Sequence, residues 1–100
     1  MRHPALEIHA FHRATLQTRV DIGSGPYEWC LDHFGNIATV AWWSIMDGVL
    51  VTSAIVARIG GDWDMADNCD VLDEDGEVAS TFLFRKEIDA VHFKLRWGGK

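Results

Sequence analysis

Residues 41–51 read AWWSIMDGVLV, two apolar runs separated by Asp47-Gly48. Asp-Gly between apolar runs is a strong signal for a two-residue β-hairpin turn, because both central positions of that turn need a positive φ. Successive side chains of a strand point to opposite faces of a sheet, so Trp42 and Trp43 belong to different faces. The stretch therefore predicts a hairpin that carries a tryptophan on each side.

This hairpin extends into a predicted three-stranded meander over residues 27–59. Gly35-Asn36 is a second two-residue turn signal, and residues 27–33 alternate apolar and polar side chains as a strand does. Gly60-Gly61 then ends the third strand. Counting outward from the two turns gives the register of the meander and hence the composition of its two faces.

One predicted face is apolar throughout, and we expect it to be the core. It gathers Trp29, Leu31, Val40, Trp42, Met46, Val49, Val51 and Ile55. Trp43 falls on the other face with Glu28 and Thr52 as its neighbours, which is a partly polar environment. We therefore expect Trp42 to build the core and Trp43 to face a second layer, either the terminal strands or another chain.

The remaining segments also favour strands. Residues 5–22 alternate with a period of two, with a bend or hairpin near residues 12–13, although Pro4 leaves a helix over residues 4–13 as an alternative. Residues 78–84 and 91–97 complete the set. The sequence predicts one domain over residues 1–100 that is all-β, or β-rich α+β, with about six antiparallel strands in a small sandwich or barrel.

The composition excludes several classes of protein. Fifteen Asp and Glu against nine Lys and Arg give a formal charge of -6, which opposes direct binding to nucleic acid. Two cysteines are too few for a disulfide scaffold and favour a reducing compartment, so we expect a cytoplasmic protein. Residues 1–9 contain no apolar h-region, so we expect no signal peptide. The most apolar window, residues 37–57, contains Asp47-Gly48 at its centre, which is not expected of a membrane span.

Residues 62–77 form an acidic segment without Lys or Arg. We predict an exposed connection that closes at Asp75-Gly76, either a solvated loop or a negative patch that docks on a basic protein surface. An aromatic anchor among charges is typical of interfaces. The predicted partner-binding residues are Asp62, Trp63, Asp64, Asp67, Asp70, Asp73, Glu74, Asp75 and Glu77, with Trp43 from the hairpin.

No signature of catalysis, metal or cofactor binding is present. Aligning Gly76 with the glycine of a calcium loop puts Val71 and Phe82 at the first and last ligand positions, which fails the pattern. His9 and His12 fall on opposite faces of a predicted strand and do not form a zinc pair. Ser24 lacks the glycine spacing of a nucleophile elbow, so we predict no catalytic residue, no metal and no cofactor.

These features favour a small acidic interaction module that binds and inhibits a larger protein, by mimicry of nucleic acid where the partner's basic surface normally holds it. Immunity, anti-restriction and anti-CRISPR proteins are a class analogy for this size and charge. The alternative is a small-molecule-binding β-barrel or minor enzyme with His12, His33 or His92 in its cavity. A homodimer joined through two Trp43 faces is compatible with either.

Overall fold

The computed structural model describes residues 12–100, which form one five-stranded sheet and two helices. The elements are β1 (His12–Leu16), α1 (Gly25–Phe34), β2 (Thr39–Met46), β3 (Val49–Arg58), β4 (Trp63–Leu72), β5 (Val78–Phe84) and α2 (Glu87–Trp97). The strand order is β1-β5-β4-β2-β3, and all neighbours are antiparallel except β2 and β4, which run parallel. The β-rich α+β prediction is confirmed, but this part of the chain forms an open mixed sheet and no barrel.

The hairpin predicted at residues 47–48 is present. Asp47 has a φ of 53° and Gly48 a φ of 77°, as a two-residue primed turn requires. The predicted pair of Trp43 with Thr52 is confirmed, but the register shifts between Trp42 and Trp43, so that Trp42 lies opposite Ala54. A second register shift lies between Val40 and Ala41, near the start of β2. Such bulges increase the local twist of the hairpin.

The first strand of the predicted meander is wrong, because residues 25–34 form helix α1. Pro26 lies in the first turn, where a missing N–H costs nothing, and Gly35 ends the helix with a φ of 81° and its N–H bonded to Leu31 O. Tyr27, Cys30 and Phe34 follow the helical spacing and belong to one core cluster. Gly35 is therefore a helix end and not part of a hairpin turn.

The last predicted strand is also a helix. In α2 the buried residues are Ala90 and Phe93, whereas Val91 and Leu95, which a strand would place on the same face as Phe93, are 42% and 80% exposed. The first turn is acidic and the last turn is basic, which favours the helix dipole. Residues 91–97 thus present one buried stripe at helical spacing, and Trp97 packs at its end.

The acidic segment is mostly a strand and not an exposed connection. Residues 63–72 form β4, which lies between β5 and β2 in the sheet. Trp63 and Met65 belong to or pack against one core cluster and Ala66 to another, so β4 has apolar contacts on both faces. Residues 73–77 then form the turn into β5, the strand predicted at residues 78–84, which is confirmed.

The core has two parts, one on each face of the sheet. Helices α1 and α2 lie on one face, where Tyr27 packs edge-on to Trp63 and Phe34 to Phe84. This first cluster contains Ala14, Leu16, Val20, Cys30, Trp63, Phe82, Phe84, Ala90 and Phe93. The second cluster, on the opposite face, contains Trp43, Ile45, Leu50, Ala66 and Leu83.

Of the strand predicted over residues 5–22, β1 covers residues 12–16, whereas residues 17–22 form a loop and the bend predicted near residues 12–13 is absent from the described part. Thr15 and Lys100 exchange two backbone hydrogen bonds, of 3.0 and 3.1 Å, so the end of the chain lies beside this edge of the sheet. The predictions for residues 1–11, including most of the alternative helix, lie outside the described residues. In residues 12–100 no helix has the length and apolar character needed to cross a membrane.

Candidate interaction surface

The two adjacent tryptophans of β2 have opposite environments, and the predicted assignment is reversed. Trp43 is 3% exposed, and its indole Nε1 donates a hydrogen bond of 2.8 Å to Thr39 Oγ1. Trp42 is 66% exposed. The prediction that Trp42 builds the core is therefore wrong, and Trp43, predicted to contact a partner, lies inside the domain.

An exposed apolar surface surrounds Trp42 on the side of the sheet that carries the helices. The two helices pack over β1, β4 and β5, and β2 and β3 extend beyond them. The side chains left exposed there, called the open face below, are Val40, Trp42, Met46, Val49 and Val51. Five large apolar side chains side by side on two strands differ from the scattered apolar residues of an ordinary surface.

A groove of about 300 Å³ separates the open face from the loop that follows β1. Its lining includes Val20, Ile22, Val40, Trp42, Met65 and Asp67. The backbone N–H of Val20 donates a hydrogen bond of 2.8 Å to Ser80 Oγ, which fixes the loop to β5. This wall of the groove is therefore held by a buried contact.

Charged groups at the rim of the groove are unevenly matched. Arg19 and Asp21 also line it, and Arg19 lies 3.4 Å from a carboxylate oxygen of Asp21 and 3.4 Å from one of Glu77. Asp67 makes no ion pair within residues 12–100. Among the described residues that line the groove, one cation thus faces two carboxylates, and the rim is negative.

Three of the predicted acidic-segment residues do not belong to an exposed patch. Trp63 is fully buried, with its indole N–H donating to Gly35 O, and Asp64 is buried as well. Asp62 is partly exposed and pairs with Arg85 and Lys86 at 3.4 and 3.8 Å, at the far end of β4. The prediction that the whole segment is exposed is therefore wrong for its first part.

The remaining predicted acids come together at one end of the sheet. Because β2 and β4 are parallel, the turns that follow them lie at the same end. This acidic end consists of Asp67, Asp70, Asp73, Glu74, Asp75 and Glu77. Of these, Asp67, Asp70, Glu74, Asp75 and Glu77 are exposed, and Asp73 is half-buried.

Two residues of the acidic end stabilise turns by accepting backbone hydrogen bonds. The Asp70 carboxylate accepts hydrogen bonds from the backbone N–H groups of Asp47 and Gly48, at 3.1 and 3.3 Å. Asp73 accepts from the N–H groups of Asp75 and Glu77, at 3.0 and 2.9 Å. The Asp73 bonds are local and typical of aspartate in turns, whereas the Asp70 bonds join β4 to the turn between β2 and β3. Among residues 12–100, the side chains of Asp67, Glu74 and Asp75 make no such hydrogen bond.

The three described histidines lie on three different elements. His33 lies exposed on α1 and stacks on Trp29 at 4.2 Å, His92 is exposed on α2, and His12 lies in β1. None of the three lines the groove. No group of three or more His, Cys, Asp or Glu side chains in residues 12–100 has the arrangement needed to hold a metal ion.

The two thiols are free and differ in environment. Cys69 is exposed, whereas Cys30 lies on α1 and is buried in the first core cluster. Burial raises the pKa of the Cys30 thiol, and the charge of Asp89 adds to the shift. A thiolate is the reactive form of cysteine, so Cys30 is suited to packing and not to nucleophilic chemistry.

No protein-family model matches the sequence, and no curated protein or solved structure is significantly similar to it.

The open face, with Trp42 near its middle, is the feature that sequence patterns did not identify. Its residues were all assigned to the core because they are apolar and alternate correctly. The signal that pointed to it was the presence of apolar residues on both faces of the same hairpin.

Proposed function

We propose that the protein is a non-enzymatic interaction module that binds and inhibits a larger protein with a basic surface. The observation that carries this proposal is the exposure of Trp42 in the middle of the open face. Exposed apolar patches of this kind on small domains mark interaction sites. Tryptophan is enriched among the residues that dominate binding energy, because its ring buries a large area at little conformational cost.

The acidic end supports the choice of a basic partner. Its carboxylates adjoin the groove through Asp67, which belongs to both. A negative surface beside an apolar anchor steers a basic protein toward the anchor and orients it, while the apolar contact supplies most of the affinity. Where the partner's basic surface normally holds nucleic acid, occupation by this end inhibits it by competition.

The proposal is tested with the tagged protein and lysate of its native host, followed by affinity measurement on the purified partner. Trp42→Ala should weaken binding at least ~30-fold, the loss expected for an interface hot spot. The matched control is Leu95→Ala, which removes an exposed apolar side chain from α2, away from the open face. Equal affinity of the two variants would contradict the proposal.

Charge is tested separately. The double reversal Glu74→Lys with Asp75→Lys removes two exposed carboxylates and leaves the turn-closing Asp73 intact. It should slow association and reduce its salt dependence, and the reversal of Glu28 and Asp32 on α1 should not. A far-ultraviolet circular dichroism spectrum like that of the wild type shows that each variant is folded. Binding that is insensitive to both reversals would refute the role of the acidic end.

A further inference from the structure

We propose that the groove beside Trp42 receives an arginine side chain of the partner protein, held between the indole of Trp42 and the carboxylate of Asp67. This inference rests on the proposed function and specifies the chemistry of the partner at one position. It follows from three properties of the groove: the placement of the two side chains, the balance of charge at the rim, and the apolar character of the walls.

The register of the sheet places the two side chains on the same face. Ser44 lies opposite Asp67 in the parallel pair of β2 and β4, and Trp42 precedes Ser44 by two residues. With neighbouring strands about 4.8 Å apart and a rise of about 3.3 Å per residue, positions in this diagonal relation are about 8 Å apart. A planar guanidinium group can therefore stack on the indole and reach the carboxylate in the same pose.

The charge at the rim selects a cation. Arg19 is already engaged by Asp21 and Glu77, both at 3.4 Å. Asp67, exposed and without an ion pair in residues 12–100, is the carboxylate that remains for a ligand. An incoming positive charge restores the balance, whereas an incoming carboxylate would meet repulsion.

The walls select a long side chain with an apolar stem. Val20, Ile22, Val40 and Met65 line the groove and can pack against methylene groups. Arginine fits better than lysine, because its planar head stacks on an aromatic ring and pairs with a carboxylate through two hydrogen bonds. A second copy of this chain is a weaker candidate, since two molecules of charge -6 repel each other.

The test uses three short peptides and the full chain labelled with ¹⁵N. The peptides are acetyl-Gly-Arg-Gly-amide, its lysine analogue, and its citrulline analogue, which keeps the shape of arginine and removes the charge. The readout is the indole N–H signal of Trp42, identified by its absence from the spectrum of Trp42→Phe. The arginine peptide should shift this signal in a saturable way, and citrulline should bind at least ~5-fold more weakly.

Variants separate the groove from general charge. Asp67→Asn should weaken binding of the arginine peptide by about the same factor as citrulline, and Asp32→Asn on α1 should not change it. Equal shifts with arginine and citrulline, or an unaffected Asp67→Asn, would overturn the assignment. A dimer in sedimentation analysis that Trp42→Ala dissociates would also overturn it, because the groove would then belong to a second copy.

The outcome can be told apart from failure of the proposed function. If Trp42→Ala abolishes binding of the purified partner but Asp67→Asn does not, the interaction surface stands and the arginine assignment fails. If the arginine peptide binds in the groove but Trp42→Ala leaves the affinity for the partner unchanged, the arginine site stands and the proposed function fails.

Discussion

The hydroxyl of Thr39 lies 2.5 Å from Oδ2 of Asp64 and donates a hydrogen bond to it inside the sheet. Thr39 also accepts the hydrogen bond from the indole of Trp43, while Oδ1 of Asp64 accepts the N–H of Met65 at 2.8 Å. A buried carboxyl group in a strand is tolerated only when it is hydrogen-bonded in this way. The contact therefore joins the start of β2 to the start of β4.

Replacement of Thr39 by valine keeps the shape of the side chain and removes the hydroxyl. Asp64 then loses one hydrogen bond and Trp43 loses the acceptor of its indole N–H, so we expect the free energy of unfolding to fall by about 2–3 kcal/mol. Urea denaturation of the variant measures the change. The control is Thr18→Val in the exposed loop after β1, where a change of less than about 0.5 kcal/mol is expected.

The adjacent tryptophans should respond oppositely to truncation. Trp43→Ala leaves a cavity in the second core cluster and should lower the free energy of unfolding by about 3–5 kcal/mol. Trp42→Ala removes an exposed ring and should change it by less than about 1 kcal/mol. Guanidinium denaturation of both variants makes the comparison, and a larger loss for Trp42→Ala would contradict the assignment of the two faces.

Gly61 lies where no side chain fits. A Cβ atom at this position would be 1.6 Å from the backbone oxygen of Asn36, in the segment between α1 and β2. Because that neighbour is backbone and cannot turn away, Gly61→Ala should cost about 3 kcal/mol or more or prevent folding. Thermal unfolding followed by circular dichroism detects either result.

Gly48→Ala is the matched control for the Gly61 variant. Gly48 has no atom within 4 Å of its Cβ position, and its only obstacle is the positive φ of 77° in the hairpin turn. This substitution should cost about 1 kcal/mol. A Gly61→Ala variant as stable as the Gly48→Ala variant would show that Gly61 does not lie against the backbone of Asn36.

Because the Cys30 thiol is buried, the free energy of unfolding depends on pH in the alkaline range. Burial raises the pKa of Cys30 above the usual value of about 8.5, so above that pH the unfolded chain releases the proton while the folded chain retains it. The unfolded state then binds fewer protons, and the free energy of unfolding falls as pH rises, by at most ~1.4 kcal/mol per pH unit. Below about pH 8 this contribution is constant.

Urea denaturation at pH 7 and pH 9.5 tests this effect. The loss of stability between the two values should be smaller for Cys30→Ala than for the wild type, although the variant is less stable at both. Cys69→Ala should show the wild-type loss, because its thiol is exposed in both states. Identical pH dependence for wild type and Cys30→Ala would refute the prediction.

The sequence predicts strands where the two helices lie, because the apolar residues of a short segment can fit both the two-residue period of a strand and the 3.6-residue period of a helix. In residues 91–97, Phe93 and Trp97 fit a strand face and also a helical stripe with Ala90. Signals for a helix were present at the ends: Pro26 in the first turn of α1, and an acidic first turn and basic last turn in α2. The strand prediction rests on an alternation of apolar and polar residues that is too short to distinguish a strand from a helix.

The faces of the hairpin could not be assigned from its own residues. Both faces are apolar, so the alternation is the same whichever side is covered. Which face of the hairpin is exposed depends on the two helices. They extend over β1, β4 and β5 and leave the Trp42 side of β2 and β3 exposed. For the same reason the open face was mistaken for the core.

The sequence by itself determined the features that arise from local backbone chemistry. The Asp47-Gly48 turn follows from two residues that tolerate a positive φ, strand β5 from its β-forming composition, and the negative charge from the count of carboxylates. Only the tertiary structure decided that the acidic segment becomes a strand inside the sheet. Asp64 is tolerated there in part because Thr39, 25 positions earlier, donates a hydrogen bond to it, and such a partner is brought close only by folding.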